Sequence, residues 1–184
     1  MKIAVLHGGT RPNGNTEALT KIATEGVSCE HIYLKDYHIL PIIDQRHDAS
    51  GFQERDDDYN RLLDLILPCD LLIFSTPIYW YSMSAQMKLF IDRWSQSLRD
   101  SNYPDFKKQM AAKKAYVLSV GGDDPLIKGL PMIQQFQHIF SFVGMEFSGY
   151  LIGSANQPGE IQQDERALLA AKQLNEQLRN GTLF

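Results

Sequence analysis

Residues 2–16 read KIAVLHGGTRPNGNT, and this stretch decides the fold. A short apolar strand, Ile3 to Leu6, runs directly into a turn rich in Gly, Asn and Thr, and we expect a helix to begin at or near Glu17. Such a strand–loop–helix junction directs backbone N–H groups and the positive end of a helix dipole at one point, which suits a phosphate. The loop also carries side-chain donors and a cation, namely Thr10, Arg11, Asn13, Asn15 and Thr16. The stretch therefore predicts a site for a phosphorylated cofactor.

Further apolar runs and helical segments alternate along the rest of the chain. With residues 2–7, the predicted strands are 30–34, 70–75, 115–120 and 146–153, and helical spacing follows Asp58, Met87, Ile133 and Ala167. This alternation indicates right-handed βαβ units around a parallel sheet. We predict one α/β domain over residues 1–184, a flavodoxin-like five-stranded parallel sheet in the order 2-1-3-4-5 with helices on both faces. Ligands of this fold bind between strands 1 and 3.

The composition excludes several classes of protein. A length of 184 residues suits one domain, and 43% hydrophobic with 22% charged residues argues against disorder. A net charge of −4 without a Lys/Arg cluster argues against nucleic-acid binding, and no apolar run is long enough to span a bilayer. Cys29 and Cys69 are predicted to be buried thiols in a reducing compartment, so we expect a cytoplasmic protein.

Two later loops are as unusual as the first. Strand 3 ends in STPIYWYSMSAQMK (75–88), where the apolar run is Pro77, Ile78, Tyr79, Trp80 and Tyr81. Pro77 stiffens the loop, and three successive aromatic rings cannot all face one core, so at least one is expected at the rim of a site for a flat ring. Strand 4 ends in SVGGDDP (119–125), where Gly121 and Gly122 permit close backbone approach. A phosphate loop, an aromatic wall and a close backbone contact together favour flavin mononucleotide (FMN).

Each loop alone has a simpler explanation. Residues 8–16 could be a turn that caps a helix, the aromatic run could pack at a subunit interface, and Gly121–Gly122 could be a plain turn. Their coincidence at adjacent strand ends favours the cofactor. We predict local packing or hydrogen bonding for His7, helix capping for Asp56–Asp58, and no metal site. Residues 36–57 are interpreted as a solvated loop, and residues 99–113 as lying outside any regular pattern.

Two motifs resemble the NAD(P)H-dependent FMN reductases, in the flavodoxin-like branch that includes iron–sulfur flavoproteins. The first family pattern, Gly-Ser-Pro-Arg-x-x-Gly-Asn-Thr, is matched by Gly8, Gly9, Thr10, Arg11, Gly14, Asn15 and Thr16, with Gly9 and Thr10 departing from Ser and Pro. The second family pattern is matched from Thr76 to Lys88, and the match continues to Asp92–Arg93. The resemblance implies that the first loop holds the FMN phosphate, that Pro77 to Trp80 contact the ring and ribityl chain, and that Gly121–Gly122 flank the ring.

The resemblance also sets expectations for the reaction and for the partners. The region LPIIDQRHDASGF lacks cysteine, so it cannot ligate the cluster of the iron–sulfur branch. We expect hydride transfer from NADPH or NADH to FMN, then reduction of a small acceptor such as a quinone, a nitro or azo compound, a metal oxyanion or free flavin. No side chain is predicted to be catalytic because the cofactor carries the chemistry. Tyr103 or Phe106 is expected to close over the ring, and the chain to form a homodimer or homotetramer.

Two alternatives remain open from the sequence. A flavodoxin-type electron carrier shares the fold but relies on a strongly acidic rim, for which −4 is mild. A flavin-free structural or regulatory domain could also adopt the same fold.

Overall fold

Five apolar runs pair side by side as one parallel sheet in the computed structural model, which describes residues 1–183. The strands are β1 (Ile3–His7), β2 (Cys29–Tyr33), β3 (Leu71–Pro77), β4 (Lys114–Gly121) and β5 (Glu146–Ser154). Their order is β2-β1-β3-β4-β5, which confirms the predicted topology. Because Ile3 pairs with Leu71 and His7 with Ser75, β1 and β3 end level with each other. The loops that follow them therefore leave the same edge of the sheet.

Helices cover both faces of the sheet. They are α1 (Asn15–Ala23), α2 (Tyr59–Ile66), α3 (Ala85–Asp92), α4 (Trp94–Ser97), α5 (Phe106–Ala111), α6 (Pro125–Lys128), α7 (Leu130–Val143) and α8 (Glu165–Asn180), with 3-10 turns at Leu34–Asp36 and Glu160–Gln163. One apolar core joins the sheet to α1 and α8, and the other joins it to α2, α3, α4, α5 and α7. No helix within residues 1–183 has both the length and the apolar character that crossing a bilayer requires.

Two predictions about helices were wrong. Residues 99–113 are not wholly irregular, because α5 lies within them and buries Phe106 and Met110. The helix predicted from Met87 onward is divided at Arg93 into α3 and α4. The start of α1 at Asn15, in contrast, lies two residues from the predicted position.

A buried ion pair fixes the long loop after β2. Arg93 and Asp57 form a salt bridge, and each side chain is 2% exposed. Arg93 also donates to the carbonyl oxygen of Leu40 at 3.0 Å and lies over the ring of Tyr59 at 4.5 Å. Asp57 accepts hydrogen bonds from the backbone amides of Leu40 and Tyr59. Burial alone would raise the pKa of Asp57, but the bonds from Arg93 and the two amides outweigh it and hold this pKa below its usual range.

This arrangement corrects the role predicted for the acidic residues before α2. Asp58 occupies the N-cap position, but its carboxylate accepts a hydrogen bond from the backbone amide of His38 rather than from the helix. Asp57 receives the first amide of α2 and neutralises Arg93. Loop 36–57 is thus attached to the core at two points, although it carries no helix or strand after Asp36.

Candidate functional site

The loops that follow β1, β3 and β4 converge on a cavity of about 260 Å³ at the carboxyl edge of the sheet. Nine of the twelve predicted site residues line it: Arg11, Gly14, Asn15, Thr16, Pro77, Ile78, Tyr79, Gly121 and Gly122. Trp80 lines an adjoining cavity of about 270 Å³, which shares Ile78 and the glycine pair with the first. Thr10 and Asn13 lie in the first loop but not on either wall. We call the first, which borders the predicted phosphate loop, the phosphate-side cavity, and the second, which borders the predicted aromatic wall, the ring-side cavity.

The phosphate-side cavity contains the beginning of α1. Gly14 is the N-cap, and no side chain of the described chain caps this helix, so its first N–H groups keep no intrahelical or capping partner. Unpaired amides together with the positive end of a helix dipole are a geometry that suits an anion. Arg11 lines the same cavity and adds a cation.

The amide of Asn13 is already used by the protein. Asn13 has a φ of 52°, and its N–H donates to the carboxylate of Glu17 at 3.0 Å. Lys21 forms a 2.9 Å salt bridge with that carboxylate and also donates to the Asn13 side chain. Burial would raise the pKa of Glu17, but the hydrogen bonds from Lys21 and Asn13 lower it overall. The negative charge of Glu17 on the cavity wall is therefore paired.

Asn15 joins the first loop to the loop after β5. Its Nδ2 donates to the carbonyl oxygen of Gln157 at 2.8 Å, and its Oδ1 accepts from the amide of Gly159 at 3.0 Å. Asn156 of the same segment lines both cavities. This fourth loop was not among the predicted site segments. The sequence does indicate a loop there, because SANQPG (154–159) is a polar segment with Pro and Gly at the end of a strand.

A neutral histidine forms the wall nearest β2. The ring of His7 stacks on Tyr33 with centroids 4.4 Å apart, and its Nε2 lies 3.0 Å from Nδ1 of His31. Burial, together with His31, lowers the pKa of His7 to about 4. His7 is therefore uncharged at neutral pH, and the predicted local hydrogen bonding is confirmed.

The aromatic loop after β3 forms a tight turn. Tyr79 and Ser82 exchange two backbone hydrogen bonds of 2.9 and 3.0 Å across Trp80 and Tyr81. Tyr79 and Tyr81 are each about half exposed, and Trp80 is 94% exposed. This is the most exposed of the large hydrophobic side chains described, and it stands beside the ring-side cavity.

Comparison with known proteins decides the family. The model of the NADPH-dependent FMN reductase family matches residues 1–157 of this chain. The chain belongs to the NADPH-dependent FMN reductase family. It is therefore an oxidoreductase that uses FMN and a nicotinamide.

Individual relatives agree over nearly the whole chain. YwqN of Bacillus subtilis (strain 168), whose provisional name is NAD(P)H-dependent FMN-containing oxidoreductase, is 58% identical over 95% of this chain and 96% of its own. A solved Bacillus subtilis structure titled Trp repressor binding protein has a TM-score of 0.80 and 52% identity, covering 94% of this chain and 97% of that one. The iron–sulfur flavoprotein MJ1083 of Methanocaldococcus jannaschii is 29% identical over 97% of this chain and 95% of its own.

Two residues expected to close over the flavin of this reductase lie elsewhere in the chain. Tyr103 donates to the Asn60 carbonyl oxygen and to Asp64 on α2, and Phe106 is 1% exposed and packs against Trp94. Neither lines the two cavities. The expectation was wrong because Phe106 belongs to the hydrophobic face of α5, a helix that the short polar segment did not reveal.

The glycines of the reductase's β4 loop are required first by packing. A Cβ atom at Gly122 would lie 2.8 Å from Cβ of Asn156, and one at Gly121 would lie 3.1 Å from the side chain of Ile78. A Cβ atom at Gly9, in contrast, would have its nearest contact at 3.9 Å, with Pro77. The β4 loop is therefore packed against both neighbouring loops, whereas the first loop leaves open space beside Gly9.

Proposed function

We propose that the two cavities form one FMN site, in a single domain spanning residues 1–184. The observation that carries the proposal is the convergence of an uncapped helix start, an aromatic turn and a glycine loop on adjoining spaces of about 260 and 270 Å³. Their combined size lies within the roughly 300–1,000 Å³ typical of small-molecule sites. FMN, when bound, supplies hydride chemistry between NADPH or NADH and an acceptor.

The phosphate-side cavity fits the phosphate of the cofactor. The free amides at the start of α1 and the guanidinium of Arg11 provide donors, and hydrogen bonds to charged groups contribute about 1.5–3 kcal/mol each. His7 is neutral and Glu17 is paired with Lys21, so neither opposes the anion strongly. The side chain of Asn15 is committed to the loop after β5, so we assign its part in binding to its backbone N–H and to holding that loop.

The ring-side cavity fits the isoalloxazine. Ile78 and the Gly121–Gly122 backbone border both cavities, and Trp80 and Tyr81 line the second alone. Ile78 and the glycine pair would bind and orient a flat ring, and Trp80 and Tyr81 would stand beside its exposed side and set access to it. We place the acceptor, a quinone, a nitro or azo compound, a metal oxyanion or free flavin, at the exposed side of that ring.

The spectrum of the purified protein tests the proposal. We expect a yellow protein with stoichiometric FMN that bleaches within milliseconds to seconds when NADPH or NADH is added anaerobically in a stopped-flow instrument. Slow bleaching would indicate an electron carrier instead. A colourless protein that takes up no added FMN would reject the cofactor altogether.

Replacement of Arg11 locates the phosphate. Arg11→Ala removes one charge-assisted donor, so FMN should bind about 10- to 150-fold more weakly, as 1.5–3 kcal/mol implies. Arg46→Ala is the matched control, because Arg46 is an exposed arginine that pairs with Asp44 away from both cavities. FMN titrations that give the same dissociation constant for both variants would contradict the site.

We also propose that the reductase forms a homodimer or homotetramer through α4 and α7. An apolar cavity of about 320 Å³ between them is lined by Trp94, Leu98, Ile139 and Phe142, among others. Phe142 is 66% exposed, and the buried Trp94 Nε1 has no hydrogen-bond partner within residues 1–183. A second chain would cover the ring of Phe142.

A cytoplasmic location is part of the proposal as well. Both cysteines are free, and burial raises the pKa of the Cys29 thiol to about 11. Two unpaired, weakly acidic thiols are typical of proteins in a reducing compartment.

A further inference from the structure

All non-glycine residues with positive φ in the described chain lie in loops at the carboxyl edge of the sheet. They are Asn13, Trp80, Tyr81 and Asp124, with φ angles of 52°, 49°, 63° and 43°. For bulky residues such as Trp80 and Tyr81 this conformation is uncommon. It persists only where surrounding contacts hold it, and such residues cluster at functional sites. Two consecutive aromatic residues in this conformation therefore require an explanation.

Trp80 and Tyr81 are the two central residues of a tight turn. Tyr79 and Ser82 pair as in a two-residue hairpin, and both central residues have positive φ. Hairpin turns of this kind strongly prefer Asn-Gly or Asp-Gly at the central positions. Trp80 and Tyr81 occupy them here, so the turn does not follow from local preference.

A side-chain bridge connects this turn to the loop after β4. The Tyr81 hydroxyl donates to Oδ2 of Asp123 at 2.8 Å, and Lys128 donates to Oδ1 of the same carboxylate at 2.7 Å. Asp123 follows the Gly121–Gly122 pair directly, so this bridge joins the β3 loop to the β4 loop across the ring-side cavity. The bridge is exposed to solvent and is expected to contribute little to folding stability. Its effect is on the position of the turn.

The turn places the exposed ring of Trp80 beside the ring-side cavity. Within residues 1–183 no hydrogen bond or ring contact involves the Trp80 side chain, which stands 94% exposed beside the cavity. The cation that lines the ring-side cavity, Lys128, is already paired with Asp123. Such a wall suits an uncharged planar molecule better than a polyanion.

We propose that Asp123 is a positioning residue that holds the Trp80–Tyr81 turn through the Tyr81 hydroxyl, and that Trp80 stacks on uncharged planar aromatic acceptors. This inference rests on the proposed function, because it takes the ring-side cavity as the place where acceptors reach the flavin. The proposed acceptors are thereby narrowed to uncharged planar aromatic molecules. Aromatic stacking contributes a preference for flat rings that a small inorganic anion cannot use.

Steady-state kinetics with two acceptors test the acceptor class. Tyr81→Phe removes the bridging hydroxyl without changing charge, and Trp80→Ala removes the ring. Both should raise the KM for a naphthoquinone about two- to tenfold, the ratio that corresponds to one aromatic pair, with kcat nearly unchanged. kcat/KM for ferricyanide should stay within twofold. Equal losses for both acceptors, or an unchanged naphthoquinone KM, would overturn the inference.

Two further comparisons test the bridge. Asp123→Ala should raise the naphthoquinone KM to the same extent as Tyr81→Phe, and the double variant should be no worse than either, because both remove the same hydrogen bond. Additive effects would contradict the bridge. Tyr150→Phe is the matched control, since Tyr150 is as exposed as Tyr81 but lies outside both cavities.

Hydrogen exchange examines the turn without using turnover. In Tyr81→Phe and Asp123→Ala, the amides of Tyr79 and Ser82, which are bonded across the turn, should exchange faster than in the parent protein. Unchanged exchange would reject the positioning role even if KM changed. Failure of the proposed function is distinguishable, because it appears as absence of FMN or of its reduction by NADPH in the parent protein.

Discussion

Removing one partner of the buried Arg93–Asp57 pair should destabilise the protein more than replacing an exposed charged side chain. Asp57→Asn keeps the shape of the side chain but replaces one acceptor oxygen by an NH₂ donor. In the parent protein one carboxylate oxygen accepts a hydrogen bond from the Tyr59 N–H, and the other accepts from the Leu40 N–H and from Arg93. The new NH₂ group must therefore face a hydrogen-bond donor in either orientation. Arg93 is then left buried without its counter-charge. Breaking a buried pair in this way costs about 3–5 kcal/mol of unfolding free energy.

Urea unfolding at fixed FMN occupancy measures the loss, because bound ligand stabilises the native state by itself. Arg93→Met should cost a similar amount. The double variant should lose less than the sum of the single losses by at least about 1 kcal/mol, since neither charge is then left alone. The exposed Lys88–Asp92 pair is the control, and Asp92→Asn should cost no more than about 0.5 kcal/mol.

The pH dependence of the same pair has a defined sign. The pKa of Asp57 is lowered in the folded state, so the unfolded chain takes up a proton first as pH falls. The stabilisation is present above the unfolded pKa of about 3.9 and is lost as pH falls through the lower folded value. Asp57→Asn should remove this part of the acid sensitivity. A loss below about 1 kcal/mol at neutral pH would refute the reasoning, because it would mean that water or a rearranged loop replaces the partner.

Two more measurements address the cavity wall and the assembly. As pH falls, the unfolded chain protonates His7 near pH 6.5, whereas the folded chain keeps it neutral to about pH 4. The free energy of unfolding should therefore decrease by about 3 kcal/mol as pH is lowered from 6.5 to 4. His7→Gln should remove most of this loss in urea titrations at several pH values; an unchanged pH profile would contradict the assignment. Phe142→Glu should dissociate the oligomer in size-exclusion chromatography with light scattering, whereas Leu169→Glu, at a similarly exposed position on α8, should not. Equal behaviour of these two variants would reject the α4–α7 interface.

The sheet could be predicted because its signals are local. Runs such as LLIFS at 71–75 are apolar at nearly every position, which is typical of a strand covered on both faces. The spacing after Asp58 predicts α2 for the same kind of reason. Helix α5 was missed because six residues, FKKQMA, show only one apolar pair at helical spacing, Phe106 and Met110. A single pair cannot be distinguished from chance.

The loops could be predicted as a group, but not their internal contacts. The strand order placed residues 10–16, 77–80 and 121–122 at one edge, since parallel strands end together. The partner of Arg93 is 36 residues away in an irregular loop, and the partners of Asn15 lie more than 140 residues away. No periodicity links such positions. Positive φ at Trp80 and Tyr81 was unpredictable as well, because residue preference there indicates glycine or asparagine.

These long-range contacts explain how a site made of loops keeps its geometry. Asn15 joins the β1 loop to the β5 loop, Asp123 joins the β4 loop to the β3 loop, and Glu17 joins the start of α1 to Tyr33 of β2. Each loop is therefore tied to another strand or loop at the carboxyl edge by a side chain, in addition to the backbone sheet. A ligand that enters such a site orders fewer groups as it binds, so less of the interaction energy is lost to conformational entropy. On this reasoning the polar residues of the edge act partly as cross-links, and we expect their replacement to weaken binding even where they do not touch the ligand.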